Sequence, residues 1–169
     1  MLEKPMWLIF LSPIIFGFLV LLISCLIGVP CLSTHQKQAE LMIELGEIKP
    51  GMKIVDLGSG MGRLLFLAAA KGAEAIGYEL NPFLIVGVKI MAKFKKTPGK
   101  VNVVWRSLFK ADVREADVVY CFLFEKFMTK LENKLFSELK PGAKIIVYTF
   151  PFNNHQAIKK IQGISVYQV

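Results

Sequence analysis

Histidine, cysteine and regularly spaced metal ligands are scarce in this chain, and each shortage closes a class of function. Only His35 and His155 occur, and Cys25, Cys31 and Cys121 show no CxxC spacing, so no metal site is expected. An odd cysteine count argues against a disulfide-stapled framework and for a reducing compartment. No arginine-rich run accompanies the formal charge of +8, so the basicity suits solubility or an anionic surface, and no nucleic-acid partner is expected. Charge itself is missing from Met6 to Pro30 and recurs every few residues from Lys37 onward. Those two regions face different solvents. The 169 residues leave room for one domain beside such a segment, because domains need about 100 to 200 residues.

About 24 uncharged residues from Met6 would rise roughly 36 Å as a helix, enough for a hydrocarbon core about 30 Å thick. Residues 1–30 are therefore expected to be a transmembrane anchor, with Trp7 at headgroup depth. The alternative is a cleaved signal, since Leu22-Ile23-Ser24-Cys25 resembles a bacterial lipoprotein cleavage box. Against it, Lys4 is balanced by Glu3 and the run exceeds an h-region of about 7 to 15 residues. Lys37, Lys49 and Lys53 follow the span, which places the rest of the chain on the cytoplasmic side, or on the matrix side in a mitochondrion. The expectation is a single-pass membrane protein touching the lipid bilayer through its N-terminal helix.

Residues 31–169 alternate between strand and helix. Ser33 to Leu45 reads as a helix with a Ser or Thr cap near 33 and 34. Short apolar strands are expected at Lys53–Leu57, Glu74–Tyr78, Val101–Trp105, Val118–Phe122 and Lys144–Thr149, with a further one at Ile164–Val169. Helices are expected over Leu64–Ala70, Pro82–Lys95 and Lys126–Leu139. The connection over 106–116 is too short for a full crossover helix. Nearly continuous apolar strands between helices predict an α/β fold: a Rossmann-like, doubly wound, mostly parallel sheet, shortened at the C-terminus and preceded by one transmembrane helix.

The informative stretch is VDLGSGMGR at 55–63, where a strand ends in an acid and three glycines alternate before a helix. Gly58 permits a tight turn, Gly60 lets a ligand approach the backbone, and Gly62 allows close packing as the helix begins. The second strand ends in GYELNP at 77–82, which sets Glu79 at a strand terminus 17 residues beyond Gly62. A carboxylate there can accept from both hydroxyls of a ribose. A dinucleotide fingerprint would need glycine at 63, where this chain has Arg63. Asp56, two residues before the first glycine, suits the ammonium of an amino-acid-bearing cofactor better than a pyrophosphate, which it would repel.

DLGSGMGR together with GYELNP resembles the class I, seven-strand methyltransferases that use S-adenosylmethionine. WRSLFK at 105–110, LENKLFSELKPGAKIIVYTFPF at 131–152 and the apolar span before VPCLSTHQKQ resemble the short membrane-anchored protein-lysine methyltransferases of the ATP synthase c-subunit and adenine nucleotide translocase type. The resemblance implies S-adenosylmethionine as cofactor. Asp56, Gly58, Ser59 and Gly60 would surround its methionine part, Glu79 the ribose, and Leu80, Ser107 and Leu108 the adenine. The family usually has Asp where this chain has Met61 and Ser107, so the loop carries one charge fewer and a hydroxyl stands in for a carboxylate.

Methyl transfer from a sulfonium asks the protein to align two reactants and exclude water. A lysine acceptor must also be neutral, against an ordinary pKa of about 10.4. The acceptor pocket is expected around Tyr120 to Glu125, with Ser33–His35 and Phe150-Pro151-Phe152, and Tyr120 and Glu125 are the candidates to orient an amine. Without NPPY after the fourth strand, a base or amide acceptor is disfavoured. The leading expectation is a lysine of a membrane protein. The alternatives are a lipid or hydrophobic small molecule as acceptor, or cofactor binding without turnover.

Overall fold

A computed structural model of the chain describes residues 11–12 and 34–169. The chain divides into two units, Met1–Leu32 and Ser33–Val169, and the second is built from four helices and seven strands. They follow as α1 (Gln36–Leu45), β1 (Lys53–Leu57), α2 (Arg63–Ala70), β2 (Glu74–Glu79), α3 (Pro82–Phe94), β3 (Lys100–Trp105), β4 (Val118–Cys121), α4 (Glu125–Glu138), β5 (Lys144–Tyr148), β6 (Lys159–Ile161) and β7 (Ile164–Gln168).

Among the described residues no helix is long and apolar enough to cross a membrane. The longest, α4, has 14 residues against the roughly 20 a bilayer requires. That finding overturns the expectation of a single-pass membrane protein with its domain on the cytoplasmic side. The anchor expected over residues 1–30, with its bilayer contact, lies outside the described residues except for Leu11 and Ser12.

The seven strands form one sheet in the order β3-β2-β1-β4-β5-β7-β6. The first five are mutually parallel, while β7 runs antiparallel to both β5 and β6. Strand alternation sorts the core into two layers. Ile54, Val118, Tyr120 and Ile146 pack with α1, α2 and α3 on one face; Val55, Leu57, Val119 and Cys121 pack with α4 and the 108–116 segment on the other. Both faces are covered, which is why the central strands read as continuous apolar runs.

Boundaries differ from the sequence reading in informative places. The first helix begins at Gln36 behind His35, whose side chain makes no capping bond, so the Ser or Thr cap expected near 33 and 34 does not form the N-cap. The 106–116 connection holds only a single 3-10 turn, Leu108–Lys110. β6 escaped the sequence reading because it is only three residues, all exposed and two of them lysine. Its signal lay in the turn: Gln162 and Gly163 both have positive φ, 48° and 77°, as a two-residue hairpin demands. The sheet is not shortened at the C-terminus as expected: β6 and β7 complete seven strands, and the 149–158 connection before them holds no helix.

Candidate functional site

The parallel strands β1, β2 and β4 end together, and their register decides which side chains meet. Asp56 pairs with Gly77 on β2 and with Tyr120 on β4. Asp56 shares the parity of Ile54, and Glu79 that of Ala75, so both acids lie on the face covered by α1, α2 and α3. Each comes from the last turn of its strand toward the same edge. This is the crevice outside the carboxyl ends of a parallel sheet where open α/β folds bind ligands.

The glycine-rich loop crosses that edge. Gly58 and Ser59 N–H groups both donate to the Tyr78 carbonyl, at 2.9 and 3.2 Å, and Gly62 N–H donates to the Ser59 carbonyl at 2.8 Å. Gly62 is the N-cap of α2 in the left-handed region, a conformation that Cβ sterics make costly for other residues. Gly60 is also left-handed, φ 54°, and nothing lies within 4 Å of where its Cβ would be. The loop therefore presents bare backbone to open space. Gly77 has the opposite problem: a Cβ there would lie 2.6 Å from Ser59 Cβ and 2.7 Å from Leu65 Cδ1, and still closer to Ser59 Oγ. Ser59 is thus packed down over β2, and its buried hydroxyl has no hydrogen-bond partner.

Glu79 is the knot of this edge. One carboxylate oxygen accepts from Gly60 N–H at 2.9 Å, and the other from Leu80 and Asn81 N–H groups at 2.8 and 2.9 Å. It fastens the loop to the exit of β2. An ionised carboxylate has about four acceptor positions, so capacity remains for a ligand hydroxyl. Asp56 is buried, and its carboxyl makes no hydrogen bond or ion pair with a described residue. Burial pushes its carboxyl up to about 7, with the nearby Glu79 charge adding to the shift. A cation arriving at Asp56 would relieve both effects.

On the β3 side, Arg106 N–H donates to the Glu79 carbonyl at 3.2 Å and Trp105 Nε1 donates to the Leu80 carbonyl at 3.0 Å. These bonds draw Leu80, half-buried Ser107 and buried Leu108 toward the β2 exit. From the other direction, Arg63 reaches Gln36 Oε1 at 2.9 Å, so the start of α1, beside His35, lies against the start of α2.

The two acceptor-side candidates differ in position: Tyr120 is the register partner of Asp56, whereas Glu125 lies on α4. Tyr120 is fully buried beneath α1, its hydroxyl has no partner, and burial, followed by the Asp56 charge, holds its phenol well above the ordinary range. Glu125 is exposed in the first turn of α4, where a carboxylate favours the helix dipole. Sequence reading missed the aromatic pair on this edge: Phe122 and Tyr148, from the ends of β4 and β5, have ring centroids 4.7 Å apart. Phe122 shares Tyr120's parity, so it stands on the face of Asp56 and Glu79; the i, i+2 step from Tyr120 was the available signal. Phe152 is not at the edge, being buried against Tyr167 at 4.8 Å.

Glu132 was also missed. Fully buried on α4, it accepts from Asn153 and Asn154 N–H groups, from Asn154 Nδ2, and meets His155 Nδ1 at 2.9 Å. Burial works against its charge, yet the His155 contact and the two backbone donors outweigh it and hold the carboxyl below the usual glutamate range. This carboxylate ties down the loop after β5.

These features fit an amino-acid-bearing nucleoside. There is an unpaired buried carboxyl for an ammonium, a β2-end carboxylate with spare acceptor capacity, an orphaned Ser59 hydroxyl and open space above Gly60. Among the described residues no cluster of acidic, His or Cys side chains could hold a metal ion.

Comparison with known proteins agrees. The model of the ANTKMT methyltransferase domain matches residues 56–159. The human lysine N-methyltransferase of the ATP synthase c-subunit is 34% identical over 73% of this chain and 52% of its own length. A protein-lysine N-methyltransferase of Saccharolobus islandicus is 30% identical over 80% of this chain and 87% of its own. An RNA methyltransferase of Salinibacter ruber, solved with S-adenosyl-L-homocysteine, superposes with a TM-score of 0.75 at 30% identity, covering 80% of this chain and 91% of that one. The chain spans about half the length of the human relative. On the matched domain and the relatives that share it, this chain belongs to the ANTKMT methyltransferase family, within the class I methyltransferases that use S-adenosylmethionine.

Proposed function

We propose that this chain is a protein-lysine methyltransferase, with residues 31–169 as its catalytic domain and S-adenosylmethionine as its methyl donor. The observation that carries the cofactor reading is the pairing of Asp56 and Glu79 on one face, on either side of a glycine loop open at Gly60. Asp56 would hold the cofactor's ammonium, Glu79 its ribose, and Gly58, Ser59 and Gly60 its methionine part. Leu80, Ser107 and Leu108 would line the adenine. When bound, the cofactor supplies a methyl group activated on a sulfonium.

The protein's share of the chemistry is alignment, desolvation and control of the acceptor's proton. Phe122 and Tyr148 make an aromatic wall beside the Asp56 edge. Water excluded by such a wall is lost to the acceptor's solvation, and that desolvation favours the neutral amine that can attack. Glu132 holds the neighbouring loop in place.

The lysine acceptor is supported by the Saccharolobus islandicus relative, which this chain spans over 87% of its length. A membrane-protein acceptor is the finer reading, supported by the human relative named for the ATP synthase c-subunit. The Salinibacter ruber structure favours RNA as a second reading. One experiment separates them: incubation with methyl-labelled S-adenosylmethionine and an extract of the source cells. Methyl-lysine in hydrolysed protein is the expected product. Label confined to ribonuclease-sensitive or lipid material would refute the lysine reading.

A further inference from the structure

Helix α3 is apolar on two opposite sides. Ile85 and Val88 are buried against the sheet, as a surface helix requires. Val86, Ile90 and Phe94, four residues apart and hence on one ridge, face outward, and Phe94 is 81% exposed. Met61, 53% exposed at the tip of the glycine loop, extends the patch toward the catalytic edge, since its side chain lies beside Gly87. A surface helix ordinarily turns its apolar residues to the core and polar ones outward, so a second apolar ridge on the outer side calls for a cover.

The charge around this ridge identifies the cover. From Leu80 to Ala111 there are seven lysines and arginines and no carboxylate. Lys100 is committed to Glu74 at 3.0 Å, and Lys95 lies 4.8 Å from the centre of the Phe66 ring. Lys89, Lys93 and Lys96 are exposed and make no ion pair with a described residue. Lys89 and Lys93 form a basic row alongside the apolar one. A second copy would bring lysine against lysine here. Nucleic acid would meet the charge but gain little from the aliphatic Val86 and Ile90, because bases stack on aromatic faces. An anionic bilayer surface satisfies both rows, with lysines at the headgroups and aliphatic and aromatic side chains at the acyl boundary.

We propose that the outer face of α3 is a docking surface for anionic lipid bilayers, on which the helix lies in the plane of the interface. It requires no spanning segment, and it does not depend on the acceptor reading above. The N-terminus of α3 follows Glu79 and Leu80 directly, so docking would bring the glycine-loop edge close to the membrane plane.

The test uses the full chain with Ile90→Trp in a Trp7→Phe, Trp105→Phe background, leaving one reporter on the ridge. Vesicles of phosphatidylcholine, with or without phosphatidylserine, carry brominated acyl chains that quench indole only at close range. Quenching is expected with anionic vesicles. Replacing Lys89, Lys93 and Lys96 together by Gln should raise the half-maximal lipid concentration roughly a hundredfold, at about a factor of five per cation. If the chain sediments with the vesicles while the reporter stays unquenched, another segment makes the contact and the proposal is overturned. A concentration-dependent blue shift without lipid, accompanied by dimer in sedimentation velocity, overturns it in favour of a second copy. Protection of the reporter by RNA but not by vesicles overturns it in favour of nucleic acid.

Discussion

Removing the Glu79 side chain should lower both the stability of the empty protein and its affinity for S-adenosylmethionine. Sequence alone makes Glu79 a strand-end acid facing an empty cleft, whose loss would leave the fold unchanged. The structure gives it three backbone donors, from Gly60, Leu80 and Asn81. Hydrogen bonds to a charged group contribute about 1.5 to 3 kcal/mol each in favourable settings. This site is only part-buried, so the released N–H groups can turn to water and most of that gain is recovered. About 2 kcal/mol should remain for Glu79→Ala, a fall of roughly 6 to 10 °C in Tm for a domain of this size. Cofactor affinity should fall by about tenfold to a hundredfold. Glu79→Gln keeps one acceptor oxygen and should retain part of the stability while losing most of the affinity. Differential scanning fluorimetry and titration calorimetry on the same samples give both numbers. An unchanged Tm would remove the fastening role, and wild-type affinity would remove Glu79 from the cofactor site.

Asp56 carries a pH signature. Its folded pKa of about 7 exceeds the unfolded value of about 3.9, so the folded state holds the extra proton between them. Stability should therefore fall as pH rises through that window, by up to about 1.4 kcal/mol per pH unit, and Asp56→Asn should abolish that component; parallel Tm profiles for the two proteins from pH 4 to 8 would disprove it. Gly77→Ala forces a methyl into Ser59 and Leu65 and should cost about 1 to 3 kcal/mol, read as a lower urea midpoint. Tyr120→Phe deletes a buried hydroxyl that has no partner, so Tm should hold or rise with turnover unchanged; loss of turnover at wild-type stability would return Tyr120 to the reaction. Glu132→Ala strands Asn153 and Asn154 N–H groups and should cost about 2 to 4 kcal/mol, visible as a lower Tm and faster proteolysis after β5.

The local order of the chain was legible because its signals are local. Alternating strands and helices, a proline opening α3, and glycines where φ must be positive all act over a few residues, and every strand and helix except β6 lies within three residues of where the pattern puts it. So does the glycine-loop motif: an acid, three glycines and a second acid pick out Asp56, Gly60 and Glu79 by spacing, and the structure brings them to one sheet edge. What the sequence could not decide is where side chains go once strands are set beside one another. Tyr120 in β4 and Phe122 just beyond its end sit two residues apart, yet one is sealed under α1 and the other reaches the edge, because burial depends on where the covering helix stops. Glu125 and Glu132 look alike as helix acids. Only the docking of the loop after β5 makes Glu132 a buried acceptor and leaves Glu125 in solvent. The same holds for Glu79, one of whose three backbone partners, Gly60, arrives from 19 residues away, and for the outer ridge of α3, which is apolar in the sequence but exposed because no described element packs on the side of the helix opposite the sheet. Spacing along the chain determines which groups exist and on which face they stand; the packing of distant segments decides which are free to act.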